Sequence, residues 1–334
     1  MKLIKSIILE SFFISQLTKR GLNEESAKNV TKALINASLM GIDSHGVRLF
    51  RHYVDCLDNG RVKNSTTNLT ISRSKSIVTC DAKNTFAHNA AQHLLSELDE
   101  KSQDYPIQMG VILNSDHYGA SGIHAYNSNI KNKLIISFTN ADALANSPDG
   151  KSVVFGTNPI SCIFNNNDLL YIDLATTKFS MNKVKNYRLS DELLPANTAR
   201  DLKGNLTTNP NDAVSLEPIG GHKGFALAFL IELLTSGLTG MNHSTDLMKM
   251  YGSDISAHRG VSHTFILIDP EVFPGGVKGV KSVINLSRQN LSDKQLAVSP
   301  GLKELNSISE RSFSGIPVDN SIIDGWKEIG FNEN

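Results

Sequence analysis

Residues 220–240 read GGHKGFALAFLIELLTSGLTG. A glycine-rich turn opens a long apolar run, and free N–H groups at such a helix start can hold an anion. Lys223 would add a full charge beside them. The other reading is that Gly220, Gly221 and Gly224 only allow close packing. The spacing is not GxGxxG, and neither that string nor GxxxxGK[ST] marks a nucleotide fold elsewhere in the chain. Residues 224–240 are apolar on nearly all sides, which predicts a helix that is buried or lies in a subunit interface.

Upstream, apolar residues alternate in LTISRSKSIVTCDA (69–82) and run together in QMGVILN (108–114), KLIISFTN (133–140), SVVFGTNPISCIF (152–164) and LLYIDLAT (169–176). Each reads as strand, as does SHTFILID (262–269) downstream. Residues 86–101 read as helix, and 185–218 as a long polar excursion. The N-terminal part is helical instead. Helical spacing covers 3–19, a second helix runs from a cap at Asn23 to Met40, and a third spans 47–58. The tail from about 280 is helical and polar. The fold class is therefore mixed α/β (α+β), with a helical domain over 1–70, completed by the tail 285–334, and a mixed-sheet domain over 71–284.

Lys plus Arg and Asp plus Glu both number 33, so no positive stripe invites a nucleic acid. Glu10 interrupts the short apolar run at the start, and Glu232 the longest one, so neither a signal peptide nor a membrane span is expected. Cys56, Cys80 and Cys162 form no CxxC and suit a reducing, cytoplasmic compartment. No HExxH or His-x-His pair points to a metal.

Two polar strings can carry chemistry. GIDSHGVRLF (41–50) places Asp43, Ser44 and His45 in a row at a helix C-terminus. A hydrolase triad is excluded by spacing, because neighbouring side chains point apart and triads recruit distant segments. What remains is acid–base work by His45 with Arg48 holding a carboxylate, or merely a polar turn; the local string favours the turn. SDHYGASG (115–122) ends a strand with a histidine and two glycines, a place where α/β folds hold ligands, or an ordinary strand-to-helix turn.

Five strings in order change that balance: GIDSHGVRLFRHYVDCLDNGRV (41–62), NSDHYGASGIHAY (114–126), FGTNPIS (155–161), IDLATT (172–177) and PIGGHKGFALAFLIELLTSGLTG (218–240). Together they resemble the malate/L-lactate dehydrogenase family of sulfolactate-dehydrogenase-like fold, with its ureidoglycolate, sulfolactate, 2,3-diketogulonate and piperideine-2-carboxylate enzymes. The resemblance covers most of the chain. It implies an NAD(P)-binding mixed sheet that is not a Rossmann fold, NAD or NADP as cofactor, a small 2-oxo or 2-hydroxy acid as substrate, and a homodimer. By the same resemblance His45 donates the proton, with Ser44 and Lys183 at the carbonyl. Arg48 binds the carboxylate, although the family's arginine often sits one position later, where this chain has Leu49. His117, Tyr118, Gly119, Ala120 and Ser121 line the nicotinamide, and His117 also meets the substrate, as an acid–base group in some members. Thr157, Asp173, Leu174, Ala175, His222 and Lys223 complete the cofactor cradle, and Gly301 and Glu304 match a PGxxE string loosely.

Two stretches depart from the family. SPDGK (147–151) replaces PxGG, placing Asp149 and Lys151 in a loop expected near the site. FSMNKV (179–184) has Asn182 where a glycine is usual, while Lys183 is kept. The imine-reducing branch carries an aspartate there, so Lys183 favours an oxo acid. A cyclic-imine reductase and a non-catalytic nucleotide-binding relative remain as alternatives. Turnover on 2-oxo acids and its pH profile separate them.

Overall fold

The computed structural model describes residues 1–64, 69–252 and 254–332. Strand β1 (Lys2–Ile4) precedes helix α1 (Ser6–Lys19), so Leu3 and Ile4 are extended rather than helical. The Asn23 side chain accepts from the Ser26 N–H at 2.8 Å and caps α2 (Glu24–Leu39). Gly41, at φ +79°, takes the chain out of that helix. Two 3₁₀ turns, Asp43–His45 and Val47–Leu49, lead into α3 (Phe50–Asp58).

The stretch expected as one strand is a hairpin of β2 (Thr70–Ser74) and β3 (Ile77–Thr85), turning at Lys75 with φ +53°. Helix α4 (Ala87–Glu100) crosses to β4 (Ile107–Ser115), then α5 (Ile123–Asn127) leads to β5 (Leu134–Thr139). Strands β6 (Ala145–Asn146), β7 (Val153–Phe155), β8 (Ile160–Phe164) and β9 (Leu170–Leu174) follow. Helix α6 (Met181–Ser190) precedes the short strands β10 (Ala199–Arg200), β11 (Leu206–Thr207) and β12 (Ser215–Leu216). Helix α7 (His222–Glu232) continues as a π turn over Leu233–Gly237. Strand β13 (Val261–Ile268), helices α8 (Gly276–Gln289), α9 (Asp293–Leu296) and α10 (Leu302–Ser314), strand β14 (Ile316–Val318) and helix α11 (Asn320–Lys327) complete the chain.

The main sheet has the order β2-β3-β4-β13-β5-β8-β9. Its β3–β4 pair is parallel and the others antiparallel. A parallel pair needs a crossover, and α4 supplies it. The helix lies tight on the sheet because Gly110 has no side chain: a Cβ there would meet Leu94 at 2.8 Å. On the other face Thr264 Oγ1 donates to the Leu234 carbonyl at 2.5 Å and docks the π turn.

One buried cluster fills the space between this sheet, α4 and α2, with Leu305 and Ile308 of α10 against it. A second joins α1, α2 and α3 to β14 and α11. Its aromatic centre stacks Phe13 on Phe50 at 3.7 Å and sets Trp326 edge-on to Phe13 at 5.4 Å. Strand β1 pairs with β14, tying the N-terminus to the tail.

Two further expectations are changed by the structure. The polar stretch 185–218 is not a bare excursion: it holds most of α6 and three strands of a small sheet, around a core of Val184, Leu194, Ala199, Ala213 and Leu216. Its apolar residues are few and scattered, which hides them from a periodicity search. Of the two readings of the 224–240 segment, full burial does not hold and the interface reading stays open. Phe229, Leu230, Leu233 and Leu238 are each about half exposed. Its one acid is the buried group: the Glu232 carboxylate accepts from Asn158 Nδ2 (2.8 Å), Ser236 Oγ (3.0 Å), Ser244 N (2.9 Å) and Ser244 Oγ (2.6 Å). Among the described residues no helix is long and apolar enough to cross a membrane.

Candidate active site

Strands β4, β5 and β9 end, and β13 begins, at one edge of the main sheet. There the 43–48 turn and α6 enclose a cleft of about 940 Å³. Loop residues gather because strand ends release them together.

His45 Nδ1 lies 2.8 Å from Ser44 Oγ, a hydroxyl able to donate or accept. Its ring faces that of His117 nearly parallel, with centroids 5.7 Å apart. Burial, and then the Arg48 charge, push the His45 pKa down to about 4. His117 is held well below its ordinary value by burial first and by His45 next.

The hydrogen bonds assign the His117 tautomer. The Gly119 N–H donates to its Nδ1 at 3.3 Å, and the Tyr53 hydroxyl lies 2.7 Å from the same nitrogen. A backbone N–H can only donate, so Nδ1 carries the lone pair and the proton sits on Nε2. Tyr53 is buried, which raises its phenol pKa and keeps it a donor. The His117 backbone N–H donates to Asp116 Oδ1 at 2.6 Å.

Helix α6 closes the site from the side. Asn182 Nδ2 donates to the Ser44 carbonyl at 3.0 Å, and Arg48 Nη1 donates to Asn186 Oδ1 at 3.0 Å. The residue that departs from the family pattern thus anchors the histidine turn, and the helical backbone at 182 has no need of glycine. Asp43 also lines the cleft, but its carboxylate is taken up by a neighbour. It forms a two-point ion pair with Arg311 of α10, at 2.5 and 3.0 Å, fixing the turn to the tail.

The cleft brings together Ser44, His45, Arg48, His117 to Ser121, Thr157, Asp173 to Ala175, Lys183 and Glu304. Asp173 accepts from the Gly122 N–H at 2.9 Å, and burial raises its pKa to about 6. Lys183 reaches the cleft, but its ammonium rests over the Phe179 ring at 5.2 Å. His222, Lys223 and Gly301 are not among the lining residues. His222 and Lys223 are exposed on the first turn of α7. Gly224 serves close packing, since a Cβ there would meet the Ile219 carbonyl at 2.3 Å. Gly301, at φ +92°, presses on the Leu169 carbonyl while its N–H bonds Glu304. Asp149 and Lys151 also stand apart, in an exposed turn between β6 and β7.

Several site residues left no signal in the sequence. Tyr53 reads as one more core residue of an amphipathic helix. Arg259 lies in a stretch without periodicity; it lines the cleft and bonds Asp142 at 2.5 Å and the Met248 carbonyl at 2.8 Å. Tyr251 and Lys185 meet only through the fold, with the ammonium 3.2 Å from the ring centroid.

Comparison with known proteins agrees with this architecture. The family model described as malate/L-lactate dehydrogenase matches residues 4–327. Malate/(S)-sulfolactate dehydrogenase of Methanothermus fervidus is 29% identical over 324 residues, covering 96% of this chain and 94% of its own. Hydroxycarboxylate dehydrogenase B of Escherichia coli is 28% identical, covering 97% and 94%. The solved sulfolactate dehydrogenase from Methanocaldococcus jannaschii superposes with a TM-score of 0.87 at 25% identity, over 99% and 98% of the two chains. The non-Rossmann mixed sheet, the five ordered strings and these matches lead to one assignment: the chain belongs to the malate/L-lactate dehydrogenase family, a family of NAD(P)-dependent hydroxy acid dehydrogenases.

Proposed function

We propose that the protein interconverts a small 2-oxo acid and its 2-hydroxy acid, with His45 moving the proton. The observation that carries this reading is the pair of facing imidazoles, His45 and His117, in one cleft beside Arg48. The relatives' names, malate, sulfolactate and hydroxycarboxylate among them, fall in the same substrate class.

The lining residues fit a nicotinamide dinucleotide. Ser121, Thr157 and Asp173 offer hydroxyl and carboxylate partners for a carboxamide and ribose hydroxyls, and Lys178 and Lys303 offer charge for a diphosphate. The volume lies near the top of the roughly 300–1,000 Å³ range of cofactor pockets. When bound, the reduced nicotinamide supplies a hydride for the carbonyl carbon.

The chain's own residues do the rest. Arg48, with one N–H arm held by Asn186, presents its remaining donors to the substrate carboxylate. His117 donates from Nε2–H as a neutral polariser. His45 takes and gives the proton at Nε2, and its Nδ1–H donates to the Ser44 hydroxyl in both protonation states. The depressed pKa keeps His45 neutral at pH 7 in the free cleft, the form that takes a proton from a hydroxy acid. A carboxylate on Arg48 cancels part of the charge that depresses His45. Substrate binding therefore raises its proton affinity for the reduction direction.

The reading extends to a reducing, cytoplasmic setting, supported by three free thiols, and to a homodimer through the exposed apolar side of α7. The test of function follows nicotinamide absorbance with NADH and then NADPH against pyruvate, oxaloacetate, sulfopyruvate, a diketo sugar acid and a cyclic imine. Oxidation with a 2-oxo acid is expected. Turnover of the cyclic imine alone would overturn the reading.

A further inference from the structure

We infer that Lys185 recognises a second anionic group on the substrate, so that the preferred substrate is a dianion rather than a simple monocarboxylate. The inference rests on the 2-oxo acid reading above and narrows its substrate class.

Asn182, Lys185 and Asn186 sit at i, i+3 and i+4 on α6 and share one face. That face meets the catalytic turn: Asn182 bonds Ser44 and Asn186 bonds Arg48. Lys185 lies between these two contacts in sequence and lines the same cleft. Its half-buried ammonium is laid on the Tyr251 ring at 3.2 Å, and Tyr251 reaches Asn182 at 3.5 Å. Among the described residues neither Arg48 nor Lys185 has a carboxylate partner within ion-pair distance. The nearby acids are spent elsewhere, Asp43 on Arg311 and Asp142 on Arg259. Burial comes first, and the charges of Arg48 and Arg188 second, in lowering the Lys185 pKa. Two cations facing one cleft without a counter-charge repel each other, and a ligand with two anionic groups relieves both. One carboxylate takes Arg48 and leaves Lys185 unmatched. A second carboxylate or a sulfonate completes the pair.

The test compares oxaloacetate and sulfopyruvate with pyruvate in wild type, Lys185→Met and Lys185→Arg. Losing one charge-assisted contact lowers affinity by roughly 10- to 100-fold. The ratio of kcat/KM for dianion over monoanion should fall by that factor in Lys185→Met, chiefly through KM, and recover in Lys185→Arg. An unchanged ratio, with both substrates falling equally, would overturn the proposal and leave Lys185 as packing for Tyr251. Calorimetric titration of the same three proteins with tartronate and with lactate separates this from a failure of the functional reading. Preferential tartronate binding that Lys185→Met abolishes supports the second-anion site even if no 2-oxo acid turns over. Equal binding of the two overturns it.

Discussion

At the scale of single residues, His117 shows how position and protonation are set by neighbours rather than by the residue itself. Two donors, Tyr53 Oη and the Gly119 N–H, converge on Nδ1, so the ring has one tautomer before any substrate arrives. Tyr53 is a positioning residue: it acts through His117. Tyr53→Phe should lower kcat/KM about 2- to 12-fold, the worth of one neutral hydrogen bond. The same change should increase exchange between tautomers, read from the imidazole ¹⁵N shifts. Wild-type shifts that place the proton on Nδ1 would contradict the assignment. Nothing in DHYG foretold Tyr53, because the contact joins residues 64 positions apart. His45 was legible only through the five ordered strings, because the local string by itself reads better as a polar turn.

At the scale of elements, the apolar 224–240 segment taught the most. Its composition predicts a helix that is buried or lies in a subunit interface, and the structure buries Glu232 while leaving Phe229 and Leu230 half exposed, as only the second alternative allows. A saturated carboxylate explains the inversion. Four donors from three segments hold Glu232, and one of them, Asn158, lies in the turn that carries Thr157. Strand and helix identities were readable wherever a period was sustained, as in α2, α4, β4 and β13. They were unreadable where pairing is non-local. The split of 152–164 into β7 and β8 depends on Asn158, a buried residue at φ +27° bonded to Glu232 and to the Ala228 carbonyl. Helix α6 escaped notice because its sequence lacks an apolar stripe, burying only Val184.

At the scale of the whole molecule, the aromatic core of Phe13, Phe50 and Trp326 recruits the tail from 316 onward, while α10 runs against the sheet core and clamps Asp43 through Arg311. The site turn is thereby held from both ends of the chain. Burial of histidines adds a pH limit. His88 and His124 are buried behind the site and His263 is buried in its wall, and burial pushes His124 to about 4 and the other two well below their ordinary value. An unfolded histidine titrates near 6.5. Above that pH both states are neutral and the term vanishes. Below it the unfolded chain binds protons that the folded chain refuses, so stability falls as pH drops toward 4. Each group contributes up to about 1.4 kcal/mol per pH unit in that window. Differential scanning calorimetry should show a Tm that falls steeply between pH 6 and 5, and His88→Leu should flatten the slope by about a sixth, since His45, His52 and His117 are depressed alongside these three. A Tm constant from pH 7.5 to 5 would contradict the burial argument.

The most direct test of the account is turnover by His45→Ala under the same nicotinamide assay, beside direct measurement of NADH and NADPH binding. The account predicts a loss of about 10²- to 10⁴-fold in turnover, the usual worth of a positioned acid–base group, with cofactor affinity nearly intact. Turnover within a few-fold of wild type would mean that the proton comes from elsewhere in the cleft, and that His45 is only part of the turn that Asp43 and Arg311 hold in place.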